Sequence, residues 1–393
     1  MLGIAPSQIL LALALVALLL SGEKLRLPPI KLPLALFLLG TIIAVIFSSN
    51  PAAGLPQIRK IYVFLQLLVA FSLLRELKYI RWLVLTWAGF GTLSALRSVV
   101  QFTGKIQQAH AAGKNFYDYY VGERVTGFMS HWYTFSAQEM FALLMLGSFL
   151  FFSTNLGRRT WLWVVCGGLM GLGLILGEMR GVWIATFAAS LYLVWFWKRW
   201  LVVALPVALV ALFLLSPGAI RERFTSIVRP SRLDSNEFRI VTWRTGLRMI
   251  EAHPWLGLGP EEPRIQFDQY VPADIPRPLP DGSYIHLHNL YLEYAAERGI
   301  PVLLIFLLLV AKMLRDFWRA IGNLPSGRRE YLFLLHGAVA AVIAILVDGV
   351  TNVNLGDSEL LSMFLTIIAC GYLAVEQAVA PVRESREVTP AAA

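Results

Sequence analysis

The chain has 393 residues, 57% of them hydrophobic, and a formal net charge of +9. Soluble domains are typically about 45–50% apolar, so a soluble globular fold is excluded. The positive charge sits in short connections and one long one. It does not sit on a basic domain with interleaved aromatics, which argues against nucleic acid as a partner. The two cysteines, Cys166 and Cys370, both lie in apolar blocks and have the spacing of neither a disulfide framework nor a metal site.

Apolar blocks of about the length of a bilayer crossing recur along the chain. They predict an all-α polytopic membrane protein with about 11–12 transmembrane helices. The predicted spans are Ile4–Leu20, Ile30–Phe47, Ile61–Leu74, Ile80–Val100, His131–Phe152, Trp161–Gly177, Val182–Trp197, Leu201–Leu215, Ile300–Met313, Tyr331–Val347 and Leu360–Glu376. The first block has no basic n-region and no A-x-A site before Glu23, so it reads as an anchor. Four regions follow: N-terminal membrane helices over 1–215, a catalytic loop with short helices over 216–299, C-terminal membrane helices over 300–376, and a disordered tail over 377–393.

Short loops rich in Lys and Arg stay in the cytoplasm. Lys24, Arg26 and Lys31, then Arg75, Lys78 and Arg81, then Arg158 and Arg159, Lys198 and Arg199, the Lys312–Arg329 group, and Arg383 and Arg386 fall on one side. The opposite, periplasmic side receives the long loop, which crosses regardless of its charge. Arg59, Lys60, Arg97, Glu139, Glu178, Arg180 and Asp348 lie at the outer ends of their spans. Charges in such positions are usually paired or functional, and they predict a polar site roofed by the loop.

From Ser216 to His288 the lysine-free loop carries Arg221, Arg223, Arg229, Arg232, Arg239, Arg244, Arg248, Arg264 and Arg277. Arginine in place of lysine favours planar, bidentate recognition of an anion, phosphate above all. Glu178 and Arg180 stand in a tight turn between two spans, flanked by Gly177 and Gly181. Glu237–Glu251 reads as an amphipathic helix. On it Arg239 and Trp243 share a face, where the indole can hold the guanidinium, and Arg244 and Arg248 share another. His253-Pro-Trp-Leu-Gly-Leu-Gly-Pro260 ends that helix, with His253 in a structural role. His286 and His288 close the loop, and a histidine at a membrane surface can take a proton from an alcohol. If the segment is helical, His286 points away from His288; if it is extended, both face the same way and their roles could be exchanged.

In this order, the Arg180-Gly181 turn, the Arg239-xxx-Trp243 helix, the His253–Pro260 segment and His288-Asn289 followed by Gly299 resemble the O-antigen ligase/polymerase superfamily of bacterial envelope glycosyltransferases. The resemblance spans roughly Gly127 to Tyr372. Where the ligase branch has Gly, Thr or Tyr three residues after that glycine, this chain has Val302, preceded by Pro301. The resemblance implies a GT-C-like helical fold with about twelve spans, one more than the hydropathy gives. A further span would lie between Ser48 and Leu74 or be absent at the start. It also implies metal-independent, inverting transfer of a glycan from undecaprenyl pyrophosphate to an acceptor hydroxyl, of lipid A-core in the ligase branch, at the periplasmic face of the inner membrane. No cofactor is expected.

The expected roles are His288 as base and Arg180, Arg239 and Arg244 on the pyrophosphate. Trp243, Asn289 and Asp348 support them, with Asp348 orienting His288. O-antigen polymerase and protein O-oligosaccharyltransferase share this chemistry and differ in acceptor. A lipid or solute transporter is the alternative of another class, and the inverted repeats and broken helices expected of one are not evident in the sequence.

Overall fold

The computed structural model describes residues 4–154, 156–216, 218–228, 236–280, 282 and 284–379; Arg229, Arg232 and the tail from residue 380 lie outside the described residues. In chain order the α-helices are α1 (Ile4–Leu20), α2 (Lys31–Ile46), α3 (Pro51–Lys60), α4 (Leu65–Leu73), α5 (Leu77–Ala111), α6 (Phe116–Gly122), α7 (Trp132–Phe152), α8 (Thr160–Leu176), α9 (Arg180–Lys198), α10 (Ala204–Leu215), α11 (Gly218–Val228), α12 (Asn236–Ala252), α13 (Glu262–Ile265), α14 (Phe267–Tyr270), α15 (Leu290–Asn323), α16 (Leu332–Asp348) and α17 (Ser358–Val379). Among the described residues there is no strand. By length and composition, Leu77–Ala111, Trp132–Phe152, Arg180–Val203, Ser326–Asp348 and Ser358–Val379 are fit to cross a membrane, and Gln8–Leu20, Lys31–Ile46, Thr160–Leu176 and Pro206–Leu215 are shorter apolar helices. The chain is an all-α polytopic membrane protein.

At the centre stands α16, with α7, α9, α15 and α17 packed on it. Its Ala338, Ala340, Ala341 and Ala344 are wholly buried. Without a hydrophobic drive between helices in lipid, such small residues permit close backbone approach and dispersion contact. The periphery turns large apolar side chains outward, among them Leu13, Leu39, Phe90, Leu93 and Val164, as a lipid solvent requires.

Three elements differ from the sequence reading. The helix expected over Ile80–Val100 runs from Leu77 to Ala111. Its extension is held by the protein: Gln101 Oε1 accepts from Thr126 N (3.0 Å) and Gly127 N (2.9 Å), and Phe102 packs edge-on against Phe116 and Tyr120. The segment from Ser48 to Leu74 holds no further span. It forms polar α3 and a 3-10 turn, Ile61–Phe64, leading into α4. The span expected at Ile300–Met313 is the second limb of α15, which bends at Gly299.

Basic and acidic side chains pair at the end assigned to the cytoplasm. Arg26 meets Glu376, Arg75 Nη2 lies 2.8 Å from Glu23 Oε2, and Arg81 Nη2 lies 3.2 Å from Glu330 Oε2. At the opposite end the long loop builds a core of its own from Val241, Met249, Leu258, Phe267, Leu287 and Ala296.

That small core is joined to the bundle at the bend in α15. Breaking a helix frees carbonyls and amides that must find partners. Leu258 N donates to Ala296 O (2.8 Å), Gly259 N donates to Glu297 O (2.9 Å), and Ile300 N donates to Pro254 O (2.8 Å). The Pro254–Gly259 segment thus closes the break. Gly299 has φ +81 and Gly257 φ +69; a methyl on Gly299 would run into the Trp255 carbonyl, and one on Gly257 would lie 2.6 Å from Glu297 O. Val302, the departure from the ligase pattern, is buried against Gly40 of α2, where a methyl would stand 2.6 Å from Val302 Cγ2.

Gly299→Ala should therefore cost at least the ~1–3 kcal/mol of a strained backbone position, read as a lower melting temperature of the purified protein in detergent. Gly171→Ala, in α8 with nothing within 4 Å of the added methyl, should stay within about 1 kcal/mol of wild type or gain from the better helix former. Equal melting of the two variants would contradict the interlock.

Candidate active site

At the outer end of the bundle α9 begins with Arg180, only 7% exposed, after Glu178, which is fully buried at φ 50. The next residue, Gly181, lies against the end of α16. A methyl there would collide with Thr351 Oγ1 and stand 2.7 Å from Asn352 Nδ2 and 3.1 Å from Asp348 Oδ1. Only glycine lets the α9 N-terminus, with its positive dipole end, approach Asp348 so closely.

Asp348 is the last residue of α16 and is completely buried. Its Oδ1 accepts from Asn352 Nδ2 (2.7 Å), and its Oδ2 accepts from Tyr133 OH (2.7 Å) and Asn354 Nδ2 (3.2 Å). Asn354 Nδ2 also donates to Ile345 O (2.8 Å), closing the turn after the helix. The positive charge of Arg239 acts on the same carboxyl. Tyr133 comes from the first turn of α7, so four separate segments converge on one carboxylate.

Arg239 is half-buried on α12. On the same face, the indole Nε1 of Trp243 is buried with no hydrogen-bond partner among the described residues, leaving a donor for a bound oxygen. Arg244 is directed elsewhere. Its Nη2 donates to both carboxylate oxygens of Asp274, at 2.9 and 2.8 Å, with the two side chains 45% and 65% exposed. Five residues of helix turn it well away from Arg239, so the structure does not bring Arg244 into the cluster. Arg248 is exposed as well, while His253 Nε2 and Tyr270 OH are 2.9 Å apart, tying α12 to α14.

The segment before α15 is neither helical nor extended. His288 has φ 52, in the left-handed region that a side chain rarely adopts. The conformation is fixed from both sides. His288 N donates to His286 Nδ1 (3.2 Å), the two imidazole centroids are 4.0 Å apart, and Phe238 of α12 meets the His288 ring edge-on at 4.8 Å. On the other flank Asn289 caps α15: its Oδ1 accepts from Tyr291 N and Leu292 N, both 3.0 Å, and its Nδ2 donates to Val350 O (3.0 Å). Asn289 thus ties the histidines to the turn that carries Asp348. The helical alternative, with His286 pointing away from His288, does not hold; the rings lie side by side, as the extended alternative would have them, but through a left-handed residue that folds one ring back beside the other.

Burial pushes His286 down to about 4; the nearby Glu261 charge opposes this, and His131 and Arg239 reinforce it. The imidazole is therefore neutral near pH 7, which suits Nδ1 as an acceptor. The charge of Arg239 acts on both His286 and Asp348.

Residues 165–307 match the family described as O-antigen ligase. This match supports the resemblance to the O-antigen ligase/polymerase superfamily. Members of this superfamily are glycosyltransferase-like enzymes. The matched stretch contains Arg180, Arg239, Trp243, His286, His288 and Asn289, while Asp348 and Tyr133 lie outside it. No curated protein matches the chain. Sequence reasoning missed Tyr133, Asn352, Asn354 and Phe238. The one usable signal was the run Asp348-x-x-x-Asn352-x-Asn354 directly after an apolar block, where amides are costly unless they have partners.

The depressed His286 pKa carries a sign. The group is neutral in the fold down to about 4 but protonates near 6.5 when unfolded. Its contribution is fully present above pH 6.5 and is lost as pH falls toward 4, with a ceiling of about 3 kcal/mol. His286→Asn, which keeps a side-chain acceptor, should melt with a shallower pH slope than wild type between pH 6.5 and 5, above the carboxylate range. Parallel slopes would mean that His286 is not buried neutral.

Proposed function

We propose that this protein transfers a glycan from undecaprenyl pyrophosphate to a hydroxyl of lipid A-core, in the manner of an O-antigen ligase, at the periplasmic face of the inner membrane. The convergence of Arg180, Arg239 and the His286–His288 pair around Asp348, at the end of the bundle roofed by the long loop, carries this reading. In the proposed reaction the acceptor oxygen attacks the anomeric carbon as the bond from that carbon to the pyrophosphate oxygen breaks. His288 takes the hydroxyl proton, and undecaprenyl pyrophosphate departs with the electron pair. A single displacement inverts the anomeric centre.

A pyrophosphate is a competent leaving group without protonation but needs preorganised cations as its charge develops. Arg180 and Arg239 fill that role, with Trp243 Nε1 as a neutral donor beside them. Asp348 lies within the field of Arg239 and is itself held by Tyr133, Asn352 and Asn354. Because the arginines supply the charge, the reaction is proposed to be metal-independent.

Lysine retains the charge but loses the two-pronged geometry. Arg180→Lys and Arg239→Lys should each lower the transfer rate by about 10²-fold or more, the scale of one preorganised donor. Arg244→Lys should remain within a few-fold of wild type. His288→Ala should abolish transfer at the ~10²–10⁴-fold scale of a general base yet still bind the lipid-linked donor. The assay supplies purified protein with undecaprenyl-pyrophosphate glycan and either lipid A-core or a second lipid-linked glycan. Wild-type rates in both clamp variants would remove the arginines from the mechanism, and product only with the second glycan would make the enzyme a polymerase.

The same assay in EDTA should run at the untreated rate. Loss restored by Mg²⁺ or Mn²⁺ would refute the arginine-only account of charge stabilisation.

A further inference from the structure

A second polar feature lies apart from the arginine cluster, on the other side of α7. A cavity of about 490 Å³ is bounded by α1, the Ile61–Phe64 turn and α4, α5, α7 and the start of α17. Its wall includes Leu10 and Phe90, which are 53% and 55% exposed on the lipid-facing surface, so the cavity is continuous with the outside of the bundle. Inside, the lining carries Glu139 and Glu359 together with the amides of Gln66 and Gln138 and the hydroxyls of Ser362 and Thr366, and it contains no lysine, arginine or histidine.

Glu139 is the decisive residue. It sits two turns into a membrane-crossing helix and is 2% exposed, and its Oε2 is buried without a hydrogen-bond partner among the described residues. Gly91 of α5 makes room for it; a methyl there would stand 3.1 Å from Oε2. A carboxylate held in a bilayer without a partner is costly, and such residues mark ligand paths or sites. In a chain of net charge +9, a compartment that among the described residues carries two carboxylates and no cationic side chain, with Glu139 unpartnered, is not built for the anionic donor. It is complementary to an ammonium group attached to an apolar body, with the Gln138 amide on the same wall for a phosphodiester oxygen. The polar groups span about 10 Å along the outer halves of α7 and α17 at the α-helical rise, the depth of a headgroup with the start of its chains.

We propose that this cavity is a binding site for an amine-bearing zwitterionic phospholipid of the outer leaflet, with the ammonium on Glu139 and the acyl chains along α1 and α5. The site is independent of the transfer reaction. It places a lipid from the surrounding bilayer against α7, the helix whose first turn also holds Asp348 through Tyr133.

The full-length protein, purified in detergent, would be mixed with equal amounts of dioleoyl phosphatidylethanolamine and dioleoyl phosphatidylglycerol. Retained lipid would be counted by native mass spectrometry. Wild type should retain phosphatidylethanolamine with about tenfold preference, the scale of one charge-assisted hydrogen bond. Glu139→Gln, near-isosteric and uncharged, should bring the two lipids to parity, while Glu23→Gln, paired with Arg75 at the opposite end, should leave the preference intact. Equal retention of both lipids by wild type, or a preference for phosphatidylglycerol, would overturn the proposal without recourse to any variant. An undiminished preference in a Glu139→Gln protein that melts like wild type would do the same.

Discussion

A buried carboxylate with no water must be satisfied by the protein, and the outer end of this molecule is arranged around one. Asp348 receives hydrogen bonds from Tyr133, Asn352 and Asn354 and feels the charge of Arg239. Removing one of these donors leaves a buried carboxyl oxygen unsatisfied, at a cost of about 1–3 kcal/mol. The penalty keeps α7, α12, α16 and the turn after α16 in one relative position, and Gly181 brings the α9 N-terminus, with Arg180, against the same point. A cationic site that must stabilise charge without reorganising gains from this fixity, since preorganised donors need no rearrangement as the leaving group departs.

The second constraint is the bend in α15. A membrane helix that ran straight through Gly299 would carry His288 and Asn289 on a rigid rod with no link to the loop. The break lets Leu258, Gly259 and Pro254 take up the freed backbone groups, so the loop and the first limb of α15 form one body. Two motifs about forty residues apart in sequence are thereby two halves of one joint. The histidine pair is held at one end of that joint and α12 stands beside it, through Phe238 on His288 and Leu287 in the loop core.

These facts explain what could be read from the sequence. Membrane helices declare themselves because lipid admits only apolar surface, and every predicted block is helical. Arg239, Trp243 and the helix bearing them follow from a 3.6-residue period that holds locally. The limits of α5 were not legible, because its outer turns are stabilised by Gln101 and an aromatic cluster with α6, contacts distant in sequence. Nor was the backbone that sets His286 beside His288, since neither the helical nor the extended alternative anticipates a left-handed histidine. Arg244 and Arg239 look equivalent in sequence; only Asp274, thirty residues on, assigns Arg244 to the solvent face.

The outer end of the bundle thus holds two compartments of opposite sign with α7 between them. Tyr133 faces the arginine side, donating to Asp348, whereas Gln138 and Glu139 line the lateral cavity. Five residues of helix separate Tyr133 from Gln138 and turn the two side chains about 140° apart, so one helix can serve both. Anions are drawn to the first compartment and turned away from the second, and the lipid-facing wall of the second is where the bilayer meets the protein. Charge complementarity of this kind sorts ligands by sign before shape is read. On the proposed function and the proposed lipid site, a diphosphate-bearing donor and a zwitterionic bilayer lipid would be directed to different faces of α7 and would not compete for one site.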